Sequence, residues 1–187
     1  IRQTMLDADW YQRSIDIIKK YPEENEPLSL NPSLIEIAGF KSKRSPFLFI
    51  TREEHAALRS LKISKEFNLN PWLLASGYEY RRLDEIAEHN PFIIFPLEFP
   101  NKPKVNDPYV ALQFSNEQLK HWDMAPDNIK KVFDAGMRFS FTSGTLKNKL
   151  DFRKNLRRII ERGISEDVTL AALTTYPAEA MGLEKTL

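Results

Sequence analysis

Apolar runs of strand length alternate along this chain with stretches whose apolar residues recur at helical spacing. Four runs stand out: Pro46–Thr51 (PFLFIT), Pro71–Ala75 (PWLLA), Pro91–Phe99 (PFIIFPLEF) and Arg138–Thr142 (RFSFT). A run that is apolar at successive positions reads as a strand buried on both faces, as in a parallel sheet. Pro96 cannot donate to a ladder, so the third strand should end near Phe95.

Between and around these runs the pattern is helical. Met5–Tyr21 carries an apolar stripe and is stopped by Pro22. Asn31 caps and Pro32 opens a short helix through Ala38, with Gly39 as its stop. Thr51 is expected to cap a helix carrying Ala57, Leu58, Leu61 and Phe67. Tyr78–His89 reads as one helix. Ser115 caps another, which breaks at Ala125-Pro126 and resumes to Gly136. Leu150–Arg162 is a basic amphipathic helix with Phe152, Leu156, Ile159 and Ile160 inward and a stop at Gly163. Ser165 caps the next helix; Pro177 starts the last and Gly182 ends it.

The order is helices, then strand–helix four times. Such alternation implies a parallel sheet with right-handed crossovers. The fold class is α/β, with four parallel strands as half of a TIM-like (β/α)8 barrel or as a small open sheet; periodicity alone does not separate the two. A free-standing flavodoxin-like domain would want a Gly-rich or acidic site after its first strand, and Thr51-Arg52-Glu53 is a poor one.

Composition narrows the function classes. At 187 residues the chain can form a single domain with a sizeable core. A net charge of +1 gives no global field for nucleic acid or an anionic membrane. No apolar run approaches the roughly 20 residues of a membrane span. The absence of cysteine excludes disulfides, thiolate metal sites and a thiol nucleophile, but leaves the compartment open. The opening at Ile1 and the close at Lys185-Thr186-Leu187 lead us to expect a piece of a longer polypeptide.

The closing segment GISEDVTLAALTTYPAEAMGLEKTL resembles the last barrel helices of the amidohydrolase superfamily. The resemblance runs through Gly163, Ser165, Leu170, Ala171, Leu173, Thr174, Pro177, Ala178 and Gly182. Tyr176 stands where the family pattern has Asn. Leu6-Asp7-Ala8-Asp9-Trp10-Tyr11 is similar to the helix before the fifth strand of the imidazolonepropionase-like branch. Pro46 through Phe67 resembles that branch's fifth strand and helix, Pro96-Leu97-Glu98-Phe99-Pro100 the end of its seventh strand, and Trp122 with Ala125-Pro126 the helix that follows. The resemblance implies residues 1–187 as the C-terminal half of the barrel.

It also implies hydrolysis of non-peptide C–N bonds, as in cyclic amides, with zinc or another divalent metal at the C-terminal mouth. The family's metal ligands include histidines after the fifth and sixth strands and an aspartate after the eighth. Here those strands run into Phe49-Ile50-Thr51, Ala75-Ser76-Gly77 and Thr142-Ser143-Gly144. Hydroxyls do not hold a divalent metal as imidazole and carboxylate do. The expectation is no metal or other cofactor in this segment, with a metal left to the parent polypeptide. The alternative is a non-catalytic structural or ligand-binding module. Implied partners are a small-molecule substrate and the remaining half of the barrel or a second amidohydrolase-like domain.

Barrel chemistry sits at strand C-termini, so the candidate substrate-binding residues are Thr51, Ser76, Glu98 and Ser143. Glu98 is the one carboxylate near the end of an apolar run; pairing with Lys102 or Lys104 is the plainer reading. Glu79 is expected to serve the first turn of its helix. His55, His89 and His121 follow no strand and read as surface or helix-terminus residues. Ser143 lacks a base to act as a nucleophile. Thr142–Thr145 offers backbone N–H groups to an anion. The pairs Arg153-Lys154 and Arg157-Arg158 read as a solvated helix face.

Overall fold

The computed structural model describes residues 1–105 and 107–183. Asn106, in the proline-rich loop expected over Pro100–Phe114, and the chain end at Lys185-Thr186-Leu187 lie outside the described residues. The chain divides into two compact units, Ile1–Phe47 with Lys62–Asn70, and Leu48–Leu61 with Pro71–Leu187.

The first unit is built on α1 (Arg2–Lys20) and α2 (Pro32–Ser42). Met5, Ala8 and Tyr11 recur every three residues and are the buried stripe of α1. The Tyr11 hydroxyl donates to the Ser29 carbonyl (3.0 Å) and accepts from the Asn31 N–H (2.9 Å), which fixes the turn before α2. Asn31 caps α2 as expected, its side chain accepting from Leu34 N–H at 3.3 Å. The helix does not stop at Gly39. It runs to Ser42, because Lys41 pairs with Asp9 and the Gly39 carbonyl accepts from Lys43 N–H.

The second unit holds the sheet apart from Pro46, Phe47 and Asn70. Its strands are β1 (Pro46–Ile50), β2 (Asn70–Leu74), β3 (Phe92–Pro96) and β4 (Phe139–Thr142), in the order β1-β2-β3-β4. The pairs β2/β3 and β3/β4 are parallel, with Leu73 opposite Ile93 and Ile93 opposite Phe139. Pro96 is the last residue of β3, opposite Thr142, and the ladder passes it because Leu97 N–H donates to the Thr142 carbonyl.

The helices of this unit fill the crossovers. α3 (Glu54–Glu66) starts here, and its last turn belongs to the first unit. A 3-10 turn (Glu79–Arg81) and α4 (Leu83–Ala87) follow β2; α5 (Pro108–Ala111), α6 (Asn116–Met124) and α7 (Asp127–Asp134) follow β3. α8 (Asp151–Glu161), α9 (Glu166–Leu173) and α10 (Thr175–Ala180) follow β4. Ser115 and Ser165 cap α6 and α9 as their positions predict. Gly163, at φ +99°, stops α8, where a side chain would be strained and would press on Lys130.

One face of the sheet forms the core. Leu73, Ile93, Phe95, Leu97 and Phe139 pack with Leu61, Ile129, Val132 and Ile159. Burying each such side chain is worth about 2 kcal/mol. Phe139 meets Phe95, Phe141 and Tyr176 edge-on. The other face carries Leu48, Ile50, Trp72, Leu74 and Ile94. Leu48 and Ile50 are 53% and 72% exposed, so this face is not covered as the first is. Among the described residues no helix is long and apolar enough to cross a membrane.

The expected single helix over Tyr78–His89 is absent. Glu79 turns back toward Ser76 and Gly77, and Arg82 leaves the helical region at φ −135°, ψ 39°. Only the 3-10 turn and α4 remain.

Candidate functional site

In a parallel sheet the loops after the strands share one edge, and ligands collect there. Three of the four candidate residues are drawn into structure at that edge. Thr51 is buried after β1. Its hydroxyl donates to the Leu74 carbonyl at 2.7 Å, which ties the end of β1 to β2. It therefore does not cap α3, as its position suggests.

Ser76 follows β2 and is one arm of a carboxylate clamp. Glu79 has no exposure to solvent. Its Oε1 accepts from Ser76 N–H (2.6 Å) and from the Ser76 hydroxyl (2.8 Å); its Oε2 accepts from Gly77 N–H (3.1 Å) and from Asn128 Nδ2 (2.7 Å). The Asn128 carbonyl oxygen takes the Tyr80 N–H at 2.8 Å. Four donors on one carboxylate replace the water lost on burial. Gly77, at φ +88°, allows the chain to fold over the carboxylate in a backbone region that L side chains rarely enter.

The clamp presents Tyr78 and the chain around it to a cleft of about 420 Å³. Gly77, Tyr78, Glu98, His121, Asn128 and Thr145 line it. His121 stacks on Tyr78 with ring centroids 3.8 Å apart, and its Nδ1 lies 3.4 Å from the Tyr80 hydroxyl. Burial lowers its pKa, and the Arg81 charge lowers it further. Arg81 lies over the Tyr78 ring at 4.6 Å and pairs with Glu54 (3.3 Å) and Glu117 (2.8 Å). Burial by itself would raise the Glu54 pKa; hydrogen bonds from its own backbone and from Arg81 outweigh it and hold the carboxyl below its ordinary value.

Of the four candidates, Ser76 and Glu98 reach this cleft, with Ser76 spent on Glu79. Glu98 is exposed and makes no ion pair among the described residues, so the expected pairing with Lys102 or Lys104 does not form. Ser143 turns the chain after β4, its carbonyl accepting from Leu146 N–H; the cleft is met by Thr145 instead. Tyr78 and Asn128 are not singled out by the sequence, and His121, expected as a surface or helix-terminus residue, is instead half-buried and stacked on Tyr78. Asn128 did leave a signal, a polar residue beside the core positions Ile129 and Val132. His121 left none, because its helix joins the cleft only through the fold.

The donor set does not suit the divalent metal that the resemblance implies. Both Glu79 oxygens are saturated, the Thr51 and Ser76 hydroxyls are spent, and Glu98 is a lone carboxylate. Among the described residues no group of three or more His, Cys, Asp and Glu side chains is placed to hold a metal ion.

No protein-family model matches the sequence, and none of the curated proteins matches it. The structure is similar to the crystal structure of an amidohydrolase from Thermotoga maritima MSB8, with a TM-score of 0.72 and 18% sequence identity, over 98% of this chain and 44% of that one. The chain therefore spans less than half the length of the solved structure it resembles. Its architecture, four parallel strands alternating with helices, matches part of the fold of that structure.

Proposed function

We propose that this chain is the part of an amidohydrolase-like hydrolase that shapes the barrel mouth without holding its metal. In this reading the hydrolysis of a non-peptide C–N bond, in a cyclic amide or a related small molecule, depends on ligands supplied by the remaining barrel or by a second amidohydrolase-like domain. Ser76, Glu98 and the Tyr78–His121 stack then line the substrate side of the mouth. The observation that carries the reading is the Glu79 clamp. The turn after β2 is spent on a buried carboxylate with four donors, and a turn so occupied offers no free ligand to a metal.

The same observation favours a second reading, a non-catalytic module that keeps the mouth for binding alone. Elemental analysis of the intact protein and of this 187-residue chain, both purified without chelator, separates the two. Metal in the intact protein and none in this chain, with turnover of cyclic amides, supports the hydrolase. Metal in neither, with no turnover, leaves the binding module. Stoichiometric metal in this chain alone would overturn both.

A further inference from the structure

A groove of about 710 Å³ runs between the loop after β3 and helix α8. It adjoins the cleft described above, since Glu98 and Phe99 line both. Five cations face it: Lys102 from the loop after β3, Lys147 from the loop after β4, and Lys154, Arg157 and Arg158 from α8. We propose that this groove binds a small organic anion, a phosphate ester or a polycarboxylate, through these five side chains.

The walls are fixed. Asn155 Nδ2 donates to the Leu97 carbonyl at 2.6 Å, which pins α8 to the end of β3. The Arg158 guanidinium lies over the Phe99 ring at 5.2 Å, so one donor fork is held in place before any ligand arrives. Three carboxylates, Glu98, Asp151 and Glu161, share the groove. Among the described residues none of the five cations is in an ion pair with them or with any other acid.

Like charges gathered without partners repel, and an oxyanion relieves that repulsion. The chain as a whole carries only +1, so the excess is local to the groove. The volume fits a small molecule, and Trp122 and Phe99 give an organic body an aromatic wall. The outward face of α8 is thus more than the solvated surface that its sequence suggests. The inference concerns binding and does not depend on hydrolysis.

The test is calorimetric titration of the intact protein with pyrophosphate and with citrate at low ionic strength. The variant Lys154→Gln/Arg157→Gln removes two exposed cations with no partner to lose, and thermal melting checks that it folds. The control Lys149→Gln/Arg153→Gln removes two exposed cations outside the groove. We expect saturable binding of at least one anion, weakened about tenfold or more in the groove variant, unchanged in the control, and reduced by salt. Pyrophosphate alone would mark a phosphate site and citrate alone a polycarboxylate site. Binding of neither anion, or equal losses in the groove variant and the control, would overturn the proposal.

Discussion

Glu79 shows how one side chain decides the geometry of the cleft wall. Its two oxygens act only as acceptors, for Ser76, Gly77 and Asn128. Glu79→Gln keeps the shape but turns an NH₂ group toward either the Ser76 pair of donors or the Gly77–Asn128 pair. Two buried donors then go unanswered, for a loss of about 2–3 kcal/mol. Urea denaturation checks this; a loss within error of zero would mean that the clamp does not hold in solution. His121 carries the pH dependence of the same wall. Its folded pKa lies below the ordinary 6.5, so as pH falls through that value the unfolded chain takes up the proton first. Stability is therefore full above about pH 6.5 and declines below it. Glu54, held below its ordinary 4.5, adds a second loss at more acidic pH. His121→Phe keeps a ring for Tyr78 to stack on and removes the titration. Thermal melting midpoints between about pH 7.5 and 5.5 should fall in the wild type and flatten in the variant; parallel profiles would assign the dependence to another group.

At the scale of elements, legibility followed how local the deciding forces are. The first three strands are readable because each carries a nearly continuous apolar run, the fourth because Phe139 and Phe141 alternate with Ser140 and Thr142, and their order survives intact in the sheet. The caps at Asn31, Ser115 and Ser165 were readable because each acts within three residues of itself. The segment from Tyr78 to His89 departs from its helical stripe because the Glu79 carboxylate is taken by Ser76 and Gly77 before it and by Asn128, 49 residues away. Thr51 was misread for the same kind of reason: it is next to a helix, but its hydroxyl finds a carbonyl 23 residues on, in β2. Lys154, Arg157 and Arg158 are outward on α8, as their spacing predicts, and the Asn155–Leu97 bond, with Arg158 over Phe99, brings them against the loop after β3. The candidate cleft lies at the strand ends, where the sequence reading places its candidates, and Glu98 lines it; Tyr78 and His121 meet there through a stack between a turn and a helix, which no local pattern signals.

At the scale of the molecule, the sheet has one packed face and one open face. Leu73, Ile93 and Phe139 are fully buried under helices, while Leu48 and Ile50 stand exposed on β1, an edge strand of the sheet. An exposed apolar edge invites pairing with another strand. In a closed barrel, neighbouring strands would take both the edge and the face. The 187-residue chain alone is therefore expected to self-associate at high concentration. Leu48→Lys/Ile50→Lys places charge on the edge, which should yield a monomer whose unfolding midpoint shifts by the equivalent of no more than about 0.5 kcal/mol. In a polypeptide whose further strands cover β1, the same two lysines would be buried without partners and should cost about 3 kcal/mol or more. Analytical ultracentrifugation of the chain, paired with denaturation of the intact protein, reads both arms. A wild-type chain that stays monomeric would show the edge to be protected by its own twist and charge. An intact protein indifferent to the lysines would show the open face to be solvent-facing in the working molecule, and the mouth to be built from four strands alone.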